Sequence, residues 1–395
     1  MVKNMKMRTF ISLFLSLLFS FFISCNDPVF YTIFQEEEQL EPLISGSPTN
    51  FVFFKGRLYV ASGTDIWSYK SLNPNERKRE YWTSAVPGGR ILQIAVMEDN
   101  YIFALCEEAG RNVLKRSSDG RNWVKMEMPW ENDPQFKDLQ SIHAAGNKLF
   151  LCAGVIGAFE IYDYDDLTTP LQRPQNRIIN GVVFNGSRHF ISTKHLIDEN
   201  SGNIYIFESD TLRSIASGPF VGIICTENSS GFPSRIYAIS RNSTLFEVRQ
   251  NEEGEYSVVS RGVSMGRRLA TGTLAVWTDK NNPSNKLLLA GRQDEMKNTV
   301  NYVHGYMEIV LDSEGNILGN FREPGSNTAE FSSIKQGDNR RYLSTIGLHP
   351  VSHIIQVPSY IDSNMVIFAS TQKNGVWSYR DRNFNGDWLW NAEDY

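Results

Sequence analysis

Along most of the chain, short runs of β-branched, aromatic and aliphatic residues recur in sets of three. A tight cluster of Gly, Asn, Asp, Ser or Lys separates the first run from the second in each set. NFVFF (Asn50–Phe54), a turn at Lys55–Gly56, RLYVAS and DIWSYK form one set. ILQIAV, a turn at Glu98–Asn100, YIFALC and NVLKRS form the next, followed by QSIHAA, a turn at Gly146–Asn147, KLFLCAG and AFEIYDY. Runs of this length, bounded by turn formers and alternating in polarity, predict half-buried antiparallel strands joined by hairpins. No segment carries sustained helical periodicity with caps.

The same plan continues through GVVF/RHFIST/NIYIFES, GIICT/RIYAIS/TLFEVRQ, TLAVW/KLLLAG/GYMEIVL and HIIQVPSY/MVIFAS/GVWSYR, making seven copies. The first and last copies are nearly the same hairpin: LYVAS then GTDIWSYK in one, VIFAS then NGVWSYR in the other. Trp67 and its counterpart Trp377 lie 310 residues apart, six intervals of about fifty. In several copies an acidic or Asn residue followed by Gly announces a fourth strand: Asp119–Gly120, Glu253–Gly254, Glu314–Gly315 and Asn385–Gly386. Trp123, Tyr256, Ile317 and Trp388 follow two or three positions later. Such dipeptides supply the positive-φ corners of tight turns.

Repeats of this size and strand number resemble the blades of WD40 and kelch arrays. The resemblance implies an all-β fold, a single seven-bladed β-propeller of four-stranded antiparallel blades; six or eight blades are also compatible with the spacing. A blade cannot cover both of its own faces, so the first and last must meet. The two matching end hairpins are then neighbours, with Trp67 and Trp377 on adjoining blades.

The first residues follow another pattern. Lys3, Lys6 and Arg8 precede an uncharged run from Thr9 to Ser24, too short for a comfortable membrane span and right for a signal sequence. It ends in FISC. This resembles the lipobox of bacterial lipoproteins, with Phe22 where Leu is usual, and implies cleavage before Cys25 and lipidation of that thiol. The resulting organisation is a signal peptide (1–24), a lipidated Cys25 with an acidic tether (25–48) and a propeller (49–395). Glu36, Glu37, Glu38 and Glu41 make the tether acidic, and VFYTIF (Val29–Phe34) inside it is strand-like enough to add an outer strand to the last blade.

Formal charge is −5, and −8 once Lys3, Lys6 and Arg8 are removed, so a nucleic-acid partner is not expected. The Arg/Lys pairs in GRNVLKR, SMGRRLA and DNRRYL read as solvated loop charges. Cys106, Cys152 and Cys225 sit in apolar runs and read as buried small hydrophobes, which leaves a Cys106–Cys152 bridge open. SSDGRNW (Ser117–Trp123) resembles the Asp-box of sialidase-like propellers, with Gly one position early. In that family the box is a structural turn, so the match implies fold and not catalysis. His349 and His353 are four apart in HPVSH, but Pro350 and strand-like flanks argue against a helical metal pair, and both read as loop histidines. The remaining histidines (His143, His189, His195, His304) lack triad partners, and no phosphate-binding loop is present.

No catalytic or metal residues and no cofactor are assigned from sequence. The expected function is a non-catalytic binding or scaffold module, anchored by lipid in a bacterial envelope, outer membrane or cell surface before inner membrane. Its expected partners are the membrane and a protein or extracellular ligand. The alternatives are a propeller-fold glycosidase or lyase, with carboxylates clustered at the channel mouth, and an outer-membrane assembly factor.

Overall fold

The computed structural model describes residues 43–69, 82–127, 139–153, 158–163, 177–198, 200–226, 234–241, 244–264, 269–278, 286–292, 306–312, 314–317, 351–358, 365–372, 374–382 and 388–393. Cys25, the signal segment, VFYTIF, His304 and His349 lie outside them.

Among the described residues the chain forms seven antiparallel sheets, five of four strands and two of three. Blade 1 runs Phe51–Phe54, Arg57–Ser62, Asp65–Tyr69 and Trp82–Ala85; blade 2 runs Arg90–Met97, Tyr101–Glu108, Arg111–Ser117 and Val124–Lys125. Blade 3 has Leu139–Ala145, Lys148–Ala153 and Ala158–Asp163, and blade 4 has Arg177–Phe184, His189–His195, Gly202–Glu208 and Thr211–Ser217. Blade 5 comprises Phe220–Cys225, Ile236–Ser240, Thr244–Gln250 and Tyr256–Ser264; blade 6 comprises Leu269–Thr278, Lys286–Arg292 and Tyr306–Leu311. Blade 7 closes the series with Val351–Pro358, Met365–Thr371, Val376–Arg382 and Trp388–Ala392. Within each sheet the strands follow chain order. The first strand of every blade packs on the first strand of the next, and that of blade 7 packs on that of blade 1. This is a seven-bladed β-propeller, with the first strands innermost.

The predicted turns that fall on described residues are where the sequence placed them; those at 279–285, 362–364 and 385–386, and most of that at 227–234, lie outside. Lys55, Glu98 and Asp99 all take positive φ, as do Gly56, Gly120, Gly146, Gly254 and Gly315. Blade 4 reaches its fourth strand without an acidic-Gly or Asn-Gly pair: Ser209 and Asp210 adopt φ of 47° and 58° themselves. Side chains of those types tolerate the left-handed region through local hydrogen bonding, so no Gly signal marks this turn.

Alternation in the strands feeds two seams at once. In the second strand of blade 2, Ile102, Ala104 and Cys106 join an apolar cluster with Phe54, Tyr59 and Ile66 of blade 1. Phe103 and Leu105, on the other face, join Leu139, Ile142, Leu149 and Tyr162 of blade 3. Seven such clusters exist, one for each blade-to-blade seam. Burying each large apolar side chain contributes about 1.5–3 kcal/mol, so cohesion is spread round the ring.

The seam between blades 7 and 1 has an additional clasp. Ile44 is buried against Phe51, Leu58, Tyr69, Val357, Phe368 and Val376. The backbone of residues 43–47 lies across the seam: Leu43 N–H donates to Glu393 O (2.8 Å), Gly375 N–H to Gly46 O (3.0 Å) and Val376 N–H to Ile44 O (3.2 Å). The Ser62 hydroxyl donates to Ser45 O (2.7 Å), and the Ser47 hydroxyl donates to Gln372 O. Glu393, fully buried, accepts from Trp82 Nε1–H of blade 1 (3.0 Å) and from the Ser378 hydroxyl of blade 7. Trp67 and Trp377 do lie on adjoining blades, Trp67 half-buried in this seam and Trp377 buried in the next one.

Candidate functional site

All seven first strands line one cavity of about 600 Å³. Its wall mixes polar and apolar side chains. Gln93 pairs with Leu105, Ser141 with Cys152 and His353 with Ser370, placing the three at one depth. Val182, Ile224, Val276 and Ile355 are apolar parts of the same wall, and His143 is a further polar one.

Four amide side chains in this wall act as clips between blades. Asn50 donates to Ile94 O (2.6 Å) and accepts from Ile94 N–H (3.1 Å). Gln356 does the same to Thr278, donating to its carbonyl (2.9 Å) and accepting from its N–H (2.7 Å). Gln93 Oε1 accepts from Ile142 N–H (3.0 Å), and Asn180 donates to Phe220 O (2.6 Å). Innermost strands splay from their neighbours and cannot complete a ladder, so the amides satisfy backbone groups that would otherwise face the cavity unpaired. Nothing in the sequence beyond a lone Asn or Gln per strand marks these clips.

His143 and His353 line the same cavity, and burial pushes both down to about 4. At neutral pH they are uncharged. His143 bonds the Ile179 backbone, while its Nε2 and the Nδ1 of His353 have no hydrogen-bond partner. His353 is therefore a strand residue facing the channel and not a loop histidine: the strand begins at Val351, immediately after Pro350. His189 belongs elsewhere, stacked on Phe184 (4.6 Å, 29°) with Nε2 at 2.9 Å from Ala145 O. No group of three or more His, Cys, Asp or Glu able to hold a metal occurs among the described residues.

The Asp-box-like turn is a capped corner on blade 2. Asp119 Oδ1 accepts from Arg121 N–H, Asn122 N–H and the Ser117 hydroxyl, all at 2.8 Å. The Asn122 and Arg121 amides hold its carboxyl well below the usual Asp range. Gly120 has φ +73°, and a Cβ there would lie 2.4 Å from the Tyr59 hydroxyl of blade 1. Trp123 packs in the same seam. Blade 6 repeats the device without the motif, Asp312 Oδ1 accepting from Asn316 N–H (2.7 Å) and Glu314 N–H (2.9 Å).

Cys106 and Cys152 are both free thiols, buried in different seams, and burial pushes each up to about 11. Cys225 is only half-buried, its sulfur 3.3 Å from the Ser234 hydroxyl. The arginine pairs of SMGRRLA and DNRRYL lie outside the described residues, and Lys115 departs from the expected solvated loop charge. Lys115 of GRNVLKR is buried in a strand, donating to Pro87 O (2.6 Å) and to Glu108.

A charged cluster without any local signature in the sequence occupies blade 5. Glu247 is fully buried and accepts from Arg235 Nη1 (2.6 Å), Arg249 Nε (3.0 Å) and Arg261 Nη2. Glu247 and Arg249 are two apart on one strand, hence on one face. Register adds the others, with Tyr237 opposite Glu247 and Val259 opposite it on the other side. These arginines come from three strands of one blade and not from around the channel.

No family profile and no curated protein matches the sequence. Solved structures do match by shape. A chain of a mitotic checkpoint complex aligns with TM-score 0.55 at 8% identity, over 87% of this chain and 94% of that one. An ancestral GH74 enzyme gives 0.55 at 14% identity; 90% of this chain aligns, but it spans about half (47%) of the enzyme's length. YCF48 from Cyanidioschyzon merolae gives 0.50 at 11%, over 86% and 98%. A chain of a protein complex, an enzyme and YCF48 are thus about equally similar, and the likeness is one of fold.

Proposed function

We propose that this protein is a binding or scaffold module: a rigid propeller that presents its rim and loops to a protein or extracellular ligand. In this reading Cys25 carries the acyl anchor and a bacterial envelope membrane is the site of action. The observation that carries it is the chemistry of the channel wall. Its Asn and Gln side chains are engaged by the backbone of neighbouring blades. Among the described residues, no Asp or Glu lines the cavity. General acid–base chemistry on a glycoside needs two facing carboxylates, and a channel furnished with structural amides supports the binding reading over it. The likeness to propellers of protein assemblies is compatible with this and adds only fold.

The test is a pull-down from native envelope with the mature chain. Recovery of a defined envelope protein or extracellular ligand supports the module; hydrolysis or elimination of a polysaccharide by the pure chain overturns it. Labelled palmitate incorporation that disappears in Cys25→Ala supports the anchor, and unchanged incorporation sinks it.

A further inference from the structure

The blade 5 cluster holds more positive charge than its own structure uses. One carboxylate, Glu247, stands against three guanidinium groups, and Arg249 and Arg261 share its single oxygen Oε2. One Arg in a two-pronged contact would neutralise a buried Glu. Three like-charged groups crowded on it repel one another by an amount comparable with the pairing itself. Among the described residues, the carboxylates facing the cluster leave it net positive. Asp312 of blade 6, kept ionised by the Asn316 and Glu314 amides of its own turn, brings a second negative charge toward Arg235, so two described carboxylates face three guanidinium groups. Glu208 of blade 4 is paired with Arg188 (2.7 Å). Arg261 Nε, buried, has no hydrogen-bond partner among the described residues.

Arg235 and Arg249 also line an open groove of about 590 Å³ together with Asn185, Ser234, Gln250 and Tyr256. Among its described lining residues there is no carboxylate. Amides, hydroxyls and two guanidinium groups therefore face one space, on a chain whose overall charge is −5. Arg249 is the most exposed of the three arginines, at 41%, and its Nε is held by Glu247, which leaves the outer edge of the fork for a ligand.

We propose that this groove binds the acid groups of an anionic polysaccharide, with Arg235 and Arg249 as the oxyanion contacts and Glu247 as the positioning residue that holds their guanidinium planes. The proposal rests on the binding-module reading and gives it a ligand class. A polysaccharide is favoured over an acidic peptide because Asn185, Ser234, Gln250 and Tyr256 put neutral amide and hydroxyl groups in the groove beside the two guanidinium groups. A sugar chain offers several hydroxyls beside each acid group to match these side chains, whereas the side chains of an acidic peptide are carboxylates and its other hydrogen-bonding groups are confined to the backbone.

The experiment is calorimetric titration of the mature chain with heparin as the sulfated probe, at two salt concentrations, beside inorganic sulfate and poly-glutamate. Arg249→Ala is the main variant, since its exposure makes it the mildest on folding; Arg249→Lys keeps the charge without the planar fork. Arg90→Ala, exposed at 71% on blade 2, removes one positive charge away from the groove. Thermal melts confirm that each variant folds. Expected is salt-sensitive heparin binding that weakens ten- to a hundredfold in Arg249→Ala, less in Arg249→Lys and hardly at all in Arg90→Ala. Equal weakening in Arg249→Ala and Arg90→Ala, or tighter binding of poly-glutamate than of heparin, overturns the proposal. Sulfate binding without heparin binding also overturns it. An envelope partner recovered equally by wild type and Arg249→Ala, with no heparin binding, would leave the module reading standing while the groove assignment falls.

Discussion

Truncating Phe368 to alanine should cost about 3–5 kcal/mol of stability, and the size of that loss tests whether the ring is closed by packing. Phe368 is fully buried in the seam between blades 7 and 1. Its ring lies 6.4 Å from that of Phe51, 5.6 Å from Tyr69 and 6.2 Å from Trp82, meeting Trp82 edge-on at 87°. Transfer of the side chain alone accounts for roughly 1.5–3 kcal/mol. The remainder is the cavity left behind, because the three partners belong to the opposite blade and are fixed by its own ladder. For a domain of ordinary stability, about 5–15 kcal/mol, this is a substantial share of the whole. The assay is urea unfolding followed by tryptophan fluorescence, with Trp67 and Trp82 in the seam itself. A double-mutant cycle with Tyr69→Ala isolates the ring contact, expected at about 0.5–1.5 kcal/mol of coupling. A loss below about 1 kcal/mol together with no coupling would refute the argument that this seam is packed across as described.

Glycine substitutions should separate strain from contact. Gly63→Ala (φ +62°, open space) should cost about 1–2 kcal/mol in a chemical melt, whereas Gly120→Ala, forced against the Tyr59 hydroxyl, should cost clearly more. Acidification should weaken the fold between about 6.5 and 4: His143, His189 and His353, held near 4 in the folded chain, pick up protons in that window only when unfolded. A pH series of melts in which His353→Phe shows a flatter decline would confirm the sign. Asp119 acts in a lower window, since its folded value is depressed. Its contribution is present above the ordinary Asp range and fades as pH falls below it, so the stability gap between wild type and Asp119→Ala should narrow on acidification. Among Cys106, Cys152 and Cys225, alkylation of the native chain with iodoacetamide followed by mass mapping should find Cys225 modified first, the other two being buried and raised to about 11.

Blade count, strand order and turn positions were legible because each depends on local chemistry repeated at a fixed spacing. A Lys55–Gly56 or Glu314–Gly315 corner announces itself without reference to anything distant. The Ser209–Asp210 corner did not, since side chains other than Gly reached the left-handed region there. Residues whose role is set by a partner on another strand were not legible at all. Asn50 and Gln356 look like ordinary polar positions until the neighbouring blade's Ile94 and Thr278 are in place. Glu247 and Arg249 share a strand, but Arg235 and Arg261 meet them only through register. Lys115 was misjudged for a related reason, being beside Arg116 in sequence yet turned inward to the Pro87 carbonyl.

The clasp between Leu43 and Glu393 places the two ends of the described fold side by side. Six of the seven seams are bridged by continuous chain, and the seventh is held only by packing and hydrogen bonds, yet its apolar cluster is of the same kind as the others. Where the covalent chain starts and stops is then largely independent of the shape it adopts. Joining the ends with a short polar linker and reopening the chain between blades 3 and 4 would give a permuted order of the same ring. Cutting a loop would leave the disc standing; prising apart one seam would expose two apolar faces and unravel it as a whole.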